Sequence, residues 1–291
     1  MSESTFKSFA VVGAGNTIGI PIVHALLSHS VPVVVLTRPS SSKELPAAAT
    51  IAPVDYFDVG AVSRILKAHK VDVLVSALGF EGFPAQKPLA DACKEAGVKL
   101  FVPSEFGMPT EGGTDGMLLS KSQTASTAHL RSIGLPSLRL YNGLFQEWIP
   151  WVAAVEETGK FIILGKGESP VSFTAISDVA GFLAYVLTTL PPSKLSNVVF
   201  RIEGERGSMS DISKLYSKSG KAPVEYVDKF PHTNQIPAAE FREYLQKRFD
   251  MGAGSTGWDV VAGKEGDEPA GSANALWEGH RWKSVKETLG L

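Results

Sequence analysis

A four-residue apolar run, Phe9-Ala10-Val11-Val12, gives way to a glycine-punctuated stretch, Gly13-Ala14-Gly15-Asn16-Thr17-Ile18-Gly19. After it, Ile22, Val23, Leu26 and Leu27 recur at helical spacing, and a second run, Val33-Val34-Val35-Leu36, ends at Thr37-Arg38. The spacing predicts strand, loop, helix and strand, and the pattern continues. Ile51 to Asp55 reads as a third strand, and a helix from Asp58 presents Ala61, Val62, Ile65 and Leu66 on one face. Val71 to Ala77 is a fourth strand, a helix around Leu89, Cys93 and Ala96 stops at Gly97, and Lys99 to Val102 is a fifth. Alternating units of this kind build parallel sheets. The strands are nearly continuous apolar runs, as strands covered on both faces are.

Past a sixth strand, Ser137 to Tyr141, the pattern loses regularity. Phe161 to Leu164 and Val171 to Thr174 flank a Gly-Lys-Gly turn, and Ser177 is the expected cap of a helix carrying Val179, Phe182, Leu183, Val186 and Leu187, stopped by Pro191-Pro192. A strand at Val198 to Ile202, a helix from Ser210, a short strand at Val224 to Val227 and a helix from Pro237 to about Phe249 follow. Met251 to Asn274, rich in Gly, Ala and Ser, is expected to be a mobile loop. The whole predicts an α/β protein with a doubly wound parallel sheet of the NAD(P)-binding Rossmann type and a smaller α+β lobe. Residues 1–145 are expected to form the nucleotide-binding domain, with 175–200 packing back onto it, and 146–174 with 201–291 the substrate-binding lobe.

In such sheets ligands bind beyond the carboxyl ends of the strands. The loops to watch are Gly13 to Gly19, Arg38 onward, the exit of the fourth strand at Ala77-Leu78-Gly79, Ser104 onward, and Tyr141 to Phe145. Around Gly13, Gly15, Asn16, Thr17, Ile18 and Gly19 the backbone can turn tightly and approach a pyrophosphate, and the start of the next helix offers it N–H groups. A second strand ending in Asp or Glu would grip ribose hydroxyls; one ending in Arg38 suits a 2′-phosphate, so NADP(H) is expected over NAD(H).

With 44% hydrophobic and 20% charged residues in 291, the composition is that of an ordinary globular protein. No apolar run is long enough to cross a bilayer and the first residues lack a secretory pattern, so a cytoplasmic protein without a membrane partner is expected. Lys and Arg number 28 against 30 Asp and Glu, which leaves no basic field for nucleic acid. Cys93, the single cysteine, sits at helical spacing and reads as core filler. No cluster has metal-ligand spacing, and no metal is expected.

The glycine loop, Arg38, the run Phe101-Val102-Pro103-Ser104-Glu105-Phe106-Gly107 and the downstream Lys121 together resemble the NmrA-like and isoflavone-reductase-like group of atypical short-chain dehydrogenases. Ser177-Asp178-Val179-Ala180 and Trp282-Lys283-Ser284-Val285-Lys286-Glu287 add to the likeness. The resemblance implies NADPH/NADP+ as cofactor and hydride transfer to a small aromatic or conjugated substrate, phenols included, with Lys121 as catalytic acid/base beside the cofactor. Asn16 stands where the group usually has glycine. The Tyr-x-x-x-Lys pair of ordinary short-chain dehydrogenases is absent, since Met117 lies four residues before Lys121; in the reductase branch the lysine alone is conventional.

Several residues keep two readings. Lys121 is a catalytic group or a solvated lysine near a helix start. Ser104 hydrogen-bonds substrate or ribose, or caps the next turn. Tyr141 and Phe145 line the substrate pocket or belong to the core. Glu105 and Gly107 read as structural, His24 and His29 as packing or surface residues, and His129 as exposed. The group also holds non-catalytic NADP(H) sensors that report through a protein partner, which is the second functional reading.

Overall fold

Strand order follows from which apolar runs find partners, and here the sheet is built from five of them. The computed structural model describes residues 4–41, 44–114, 116 and 127–291. In chain order its elements begin β1 (Phe9–Val12), α1 (Gly19–Ser28), β2 (Val33–Thr37), β3 (Thr50–Pro53), α2 (Val59–Ala68), β4 (Val73–Ser76), α3 (Gln86–Ala96), β5 (Leu100–Val102), α4 (Thr127–Ser132), β6 (Leu138–Tyr141) and β7 (Leu144–Phe145). They continue with α5 (Ile149–Val152), α6 (Val155–Thr158), β8 (Phe161–Leu164), β9 (Val171–Thr174), α7 (Ile176–Thr189), β10 (Val198–Arg201), β11 (Glu205–Gly207), α8 (Met209–Lys218), β12 (Val224–Val227), α9 (Ala239–Asp250), β13 (Trp258–Asp259), β14 (Lys264–Glu265) and α10 (Val285–Leu289). Backbone contacts divide the chain into two compact units. The first takes the chain up to Phe106, then Thr110–Leu140 and Val179–Phe200; the second takes Gly107–Pro109, Tyr141–Asp178 and Arg201–Leu291.

In the first unit the sheet is parallel, in the order β3-β2-β1-β4-β5. β1, β2, β4 and β5 are buried along their whole length, which is why their sequences are apolar without alternation. One face, carrying Ala10, Val12, Val34, Leu36, Leu74 and Phe101, packs with Val62 and Leu66 of α2 and Leu89 and Cys93 of α3. Asp58 caps α2 by accepting from the Ala61 N–H at 2.8 Å, and Gly97 ends α3 at φ +77°. β3 departs from the expectation of two covered faces: it is the sheet edge, and three of its four residues are exposed. β6 lies beside β5 through a parallel bridge from Ser137 to Phe101 and pairs along its length with β10.

In the second unit β8 and β9, on either side of the Gly-Lys-Gly turn, belong to different sheets: β8 joins β12, and β9 joins β11 and β7. The turn is held instead by the Asp250 carboxylate at the end of α9, which accepts from the backbone N–H groups of Lys166 (3.1 Å) and Gly167 (3.0 Å). Ser177 is not the cap of α7, which begins one residue earlier, at Ile176; the Ser177 hydroxyl accepts from Lys283 Nζ at 3.0 Å. Residues 251–274 carry the β13–β14 hairpin and are fastened by polar bonds. The Thr256 N–H donates to Ser172 Oγ at 3.0 Å, Arg201 donates to the Thr256 carbonyl at 2.6 Å, and Arg206 pairs with Glu265 at 2.6 Å. Small residues without periodicity gave no sign of this, because their partners stand tens of residues away.

Gln246 shows how such bonds stabilise the second unit. Buried in α9, it accepts from the Leu164 N–H at 2.7 Å and donates to the carbonyls of Val152 (3.0 Å) and Ile162 (3.1 Å). Replacing it with leucine strands three backbone groups away from water. Unsatisfied buried groups cost about 1–3 kcal/mol each and share some of that cost, so Gln246→Leu should lower the unfolding free energy by about 3 kcal/mol in a denaturant titration.

Candidate functional site

The direction of chain progression reverses between β1 and β4: from β1 the chain moves to β2 and β3, and from β4 to β5. Loops leaving two such strands part, and a crevice opens beyond their carboxyl ends. At its floor the two exits touch. Gly13 has φ +79°, and a Cβ there would lie 2.6 Å from the Ala77 carbonyl oxygen and 2.8 Å from the Leu78 nitrogen. A Cβ on Gly19 would lie 2.3 Å from the Gly13 oxygen. Both glycines are therefore required by the approach of the chain to itself. Above this contact α1 begins with Ile18 at its N-cap, no side-chain cap and no acid in the first turn. Its positive end is not neutralised from within the helix and suits an anion. Asn16 is exposed, Gly15 and Thr17 half-buried and Ile18 buried in the turn that leads there.

One strand over, β2 delivers Arg38, exposed, directly after buried Thr37. Beside it lies Tyr56, 8% exposed, whose hydroxyl donates to the Leu36 carbonyl at 3.0 Å. Burial pushes the Tyr56 phenol above the usual tyrosine range, against the opposing pull of the Arg38 charge. On the other side, the Ala77 N–H donates to the Val12 carbonyl at 2.8 Å, Ala77 and Leu78 are buried, and Gly79 is exposed. Ser104 is buried. Its hydroxyl donates to the Leu78 carbonyl at 2.7 Å and its N–H to Gln86 Oε1 at 2.7 Å, so it ties the exit of β5 to that of β4 rather than capping a turn. Together these residues offer an anion seat, a cation one strand away, and a floor of fastened backbone.

A family model described as the NmrA-like family matches residues 5–251. The chain belongs to the NmrA-like family. Among curated proteins it is 32% identical to Oxidoreductase aprR of Aspergillus flavus, over 75% of this chain and 76% of that one. Its fold matches leucoanthocyanidin reductase of Vitis vinifera, solved as a binary complex with NADPH, at a TM-score of 0.77 and 22% identity, covering 97% of this chain and 98% of that one. It matches an isoflavone reductase structure at a TM-score of 0.78 and 19% identity, covering 98% and 99%. The α/β fold with a doubly wound parallel sheet is thus that of the NAD(P)-binding Rossmann reductases.

The other residues singled out in this NmrA-like sequence fall as follows. Lys121 and Met117 lie outside the described residues. In the second unit Tyr141 is 1% exposed with the Arg201 guanidinium over its ring, and Phe145, 5% exposed, packs edge-on to Trp148. Glu105 is buried and accepts from the Thr110 hydroxyl at 2.9 Å; the Gly107 carbonyl accepts from the N–H groups of Asn142 and Gly143. His24 and His29 are exposed, and the His29 ring lies 3.0 Å from the Thr188 hydroxyl. His129 is not the exposed residue expected: its Nε2 lies 2.6 Å from Asp91 Oδ1, on α3. Cys93 is fully buried, and desolvation pushes its thiol far above the ordinary range. Among the described residues no group of three or more His, Cys, Asp or Glu could hold a metal, and no helix is long and apolar enough to cross a membrane. Tyr56 and Gln86 went unnoticed in the sequence, where nothing marks an isolated tyrosine in a loop or a glutamine at the start of a helix as the fastening of a strand exit.

The glycine contact carries a prediction. Gly13→Ala combines a left-handed backbone with an overlap on the Ala77 carbonyl and should cost about 2–4 kcal/mol of stability. Gly79→Ala, at φ −75° with nothing within 4 Å, should cost less than about 1 kcal/mol in the same denaturation experiment.

Proposed function

We propose that this chain is an NADPH-dependent reductase of small aromatic or conjugated molecules, phenols included, with Lys121 as general acid/base. The observation that carries the reading is the acid-free, uncapped start of α1 standing over the Gly13–Ala77 contact, with the Arg38 cation one strand away. The chemistry of these donors fits a dinucleotide that carries a third phosphate. The pyrophosphate would be held by the backbone from Gly13 to Gly19 and the positive end of α1, and the 2′-phosphate by the Arg38 guanidinium, whose planar fork matches phosphate oxygens. Ala77, Leu78 and Gly79 would border the cofactor at the exit of β4, and Ser104 would brace them from below through its bond to the Leu78 carbonyl.

NADPH, when bound, supplies a hydride to an electrophilic carbon of the substrate. The chain's task is to answer the negative charge that develops on the substrate's oxygen. An ammonium does this twice over, as a neighbouring cation and as a proton donor, and Lys121 is assigned to it by its place downstream of the Pro103–Gly107 run. The name of the Aspergillus flavus relative, an oxidoreductase, and those of the two reductases with the same fold support this class of chemistry. Tyr141 and Phe145 stand on the substrate side in this reading, although the second unit buries them to 1% and 5% exposure.

Two measurements test the assignment. A charge-assisted contact to phosphate contributes about 1.5–3 kcal/mol, so Arg38→Ala should weaken NADPH binding roughly 10- to 100-fold and NADH binding much less. Equal losses would remove Arg38 from the phosphate. In a screen of phenylpropanoid, isoflavonoid and quinone substrates, Lys121→Ala should lower kcat by about 100-fold or more while NADPH still binds. Turnover unchanged by that substitution would exclude the lysine mechanism, and NADPH binding with no turnover of any substrate would favour a sensor acting through a protein partner.

A further inference from the structure

Four aromatic side chains of the second unit stand in a row, and each of them is only half-buried. Two helical pairs supply them. Trp148, which closes the turn before α5, and Trp151 within α5 are three residues apart; Phe241 and Tyr244 repeat that spacing on α9, and side chains three apart share a helix face. The ring centres of Trp148 and Trp151 are 5.6 Å apart, those of Trp151 and Phe241 6.0 Å, and those of Phe241 and Tyr244 6.5 Å. Buried Phe145 ends the row, edge-on to Trp148. All four half-buried rings rest on the apolar core of this unit and keep part of their surface in water.

Against the row lies a cation. Arg242 is fully buried, and its guanidinium carbon sits 4.4 Å from the centre of the Trp151 ring. Nη2 donates to Glu157 Oε1, while Nε, Nη1 and Glu157 Oε2 have no hydrogen-bond partner. Charge held away from water is little screened, so it acts strongly on the ring it covers. It draws π density toward itself. An indole polarised in this way accepts an electron-rich ring better than a saturated one of the same shape, because ring quadrupoles attract where their densities differ.

We infer that this row is a binding site for a small planar phenol, seated on Trp151 and Phe241 with the Arg242 charge behind the indole. The inference deepens the reductase reading and rests on it for the ligand's role as substrate. Tyr141 and Phe145 are buried, so the ring surface that this part of the chain offers to a ligand belongs to the half-buried aromatics beyond them. Ligand sites are characteristically walled in this manner, by aromatic rings and a small number of placed polar groups.

The test compares 2-naphthol with decahydro-2-naphthol, which has the same skeleton and hydroxyl without the π system. Dissociation constants are measured by calorimetry on the full chain without cofactor, and on its Trp151→Leu and Phe241→Leu variants. Leucine keeps an apolar side chain against the core, and the second variant serves if the first melts early. One aromatic contact corresponds to about a three- to tenfold change, so the unaltered chain should prefer 2-naphthol by that factor and each variant should lose most of the preference. Decahydro-2-naphthol should bind all three proteins alike, whereas the loss of a ring that only supports the fold would weaken both probes together. Equal constants for the two probes in the unaltered chain, no binding of either, or a preference unchanged in both variants overturns the inference. NADPH titrations on the same proteins keep the two readings apart. NADPH affinity should be the same in all three, and a chain that prefers 2-naphthol as expected but binds no NADPH overturns the reductase reading and leaves the phenol site standing.

Discussion

Two parallel strands of one sheet end at a distance set by their ladder, and a crevice between their loops needs a floor that the ladder cannot supply. Here the floor is backbone against backbone. Gly13 leaves β1 in a left-handed conformation, and its Cα meets the Ala77 carbonyl and the Leu78 nitrogen at a spacing that excludes any Cβ. Gly19 repeats the condition one turn later, pressed on Gly13 itself. The start of α1, and with it the positive end of a helix, is located by these two contacts. Arg38 and the exit of β4 take their places relative to the same point. The glycines of this loop thus answer first to the chain's own packing, and the room they leave for a ligand is a consequence of it.

Beyond the ladders, side chains that bond to distant backbone do the fastening. Tyr56 reaches the Leu36 carbonyl across 20 residues, Ser104 the Leu78 carbonyl across 26, and Gln86 the Ser104 N–H across 18. All three are buried, where a hydrogen bond is costly to leave unmade and so specifies position well. In the second unit Gln246 and Ser172 do the same for β8 and for the segment after α9. Strand exits have unpaired carbonyl and N–H groups by construction. Here neutral side chains satisfy them, and Arg38 stands exposed one strand away from the start of α1.

Local order in the first unit could be read from the chain because each element there satisfies its own local rule. Val33 to Leu36 cannot be other than a doubly covered strand, Asp58 caps the helix it precedes, and Gly97 ends the one it follows. The family likewise was legible from the glycine loop, Arg38 and the Pro103–Gly107 run, and the chain belongs to it. Reading failed where a segment's conformation depends on partners that no local pattern names. β8 and β9 flank a turn whose sequence names no partner for either; they belong to different sheets, and Asp250 holds the turn between them. Residues 251–274 lack periodicity yet are fastened by Ser172, Arg201 and Arg206. His129 finds Asp91, and Ser104 spends its hydroxyl on Leu78.

By itself the sequence determined the alternation of strands and helices, the parallel sheet that follows from it, and the presence of a glycine loop with an arginine at the end of the next strand. Those properties rest on periodicity and on backbone freedom, which are local. Tertiary structure alone decided that Gly13 must meet Ala77, that Tyr56 should bond the Leu36 carbonyl, and which strands of the second unit pair. These depend on groups brought together from far along the chain, and a hydrogen bond or a van der Waals contact reads distance in space, to which separation in sequence is no guide.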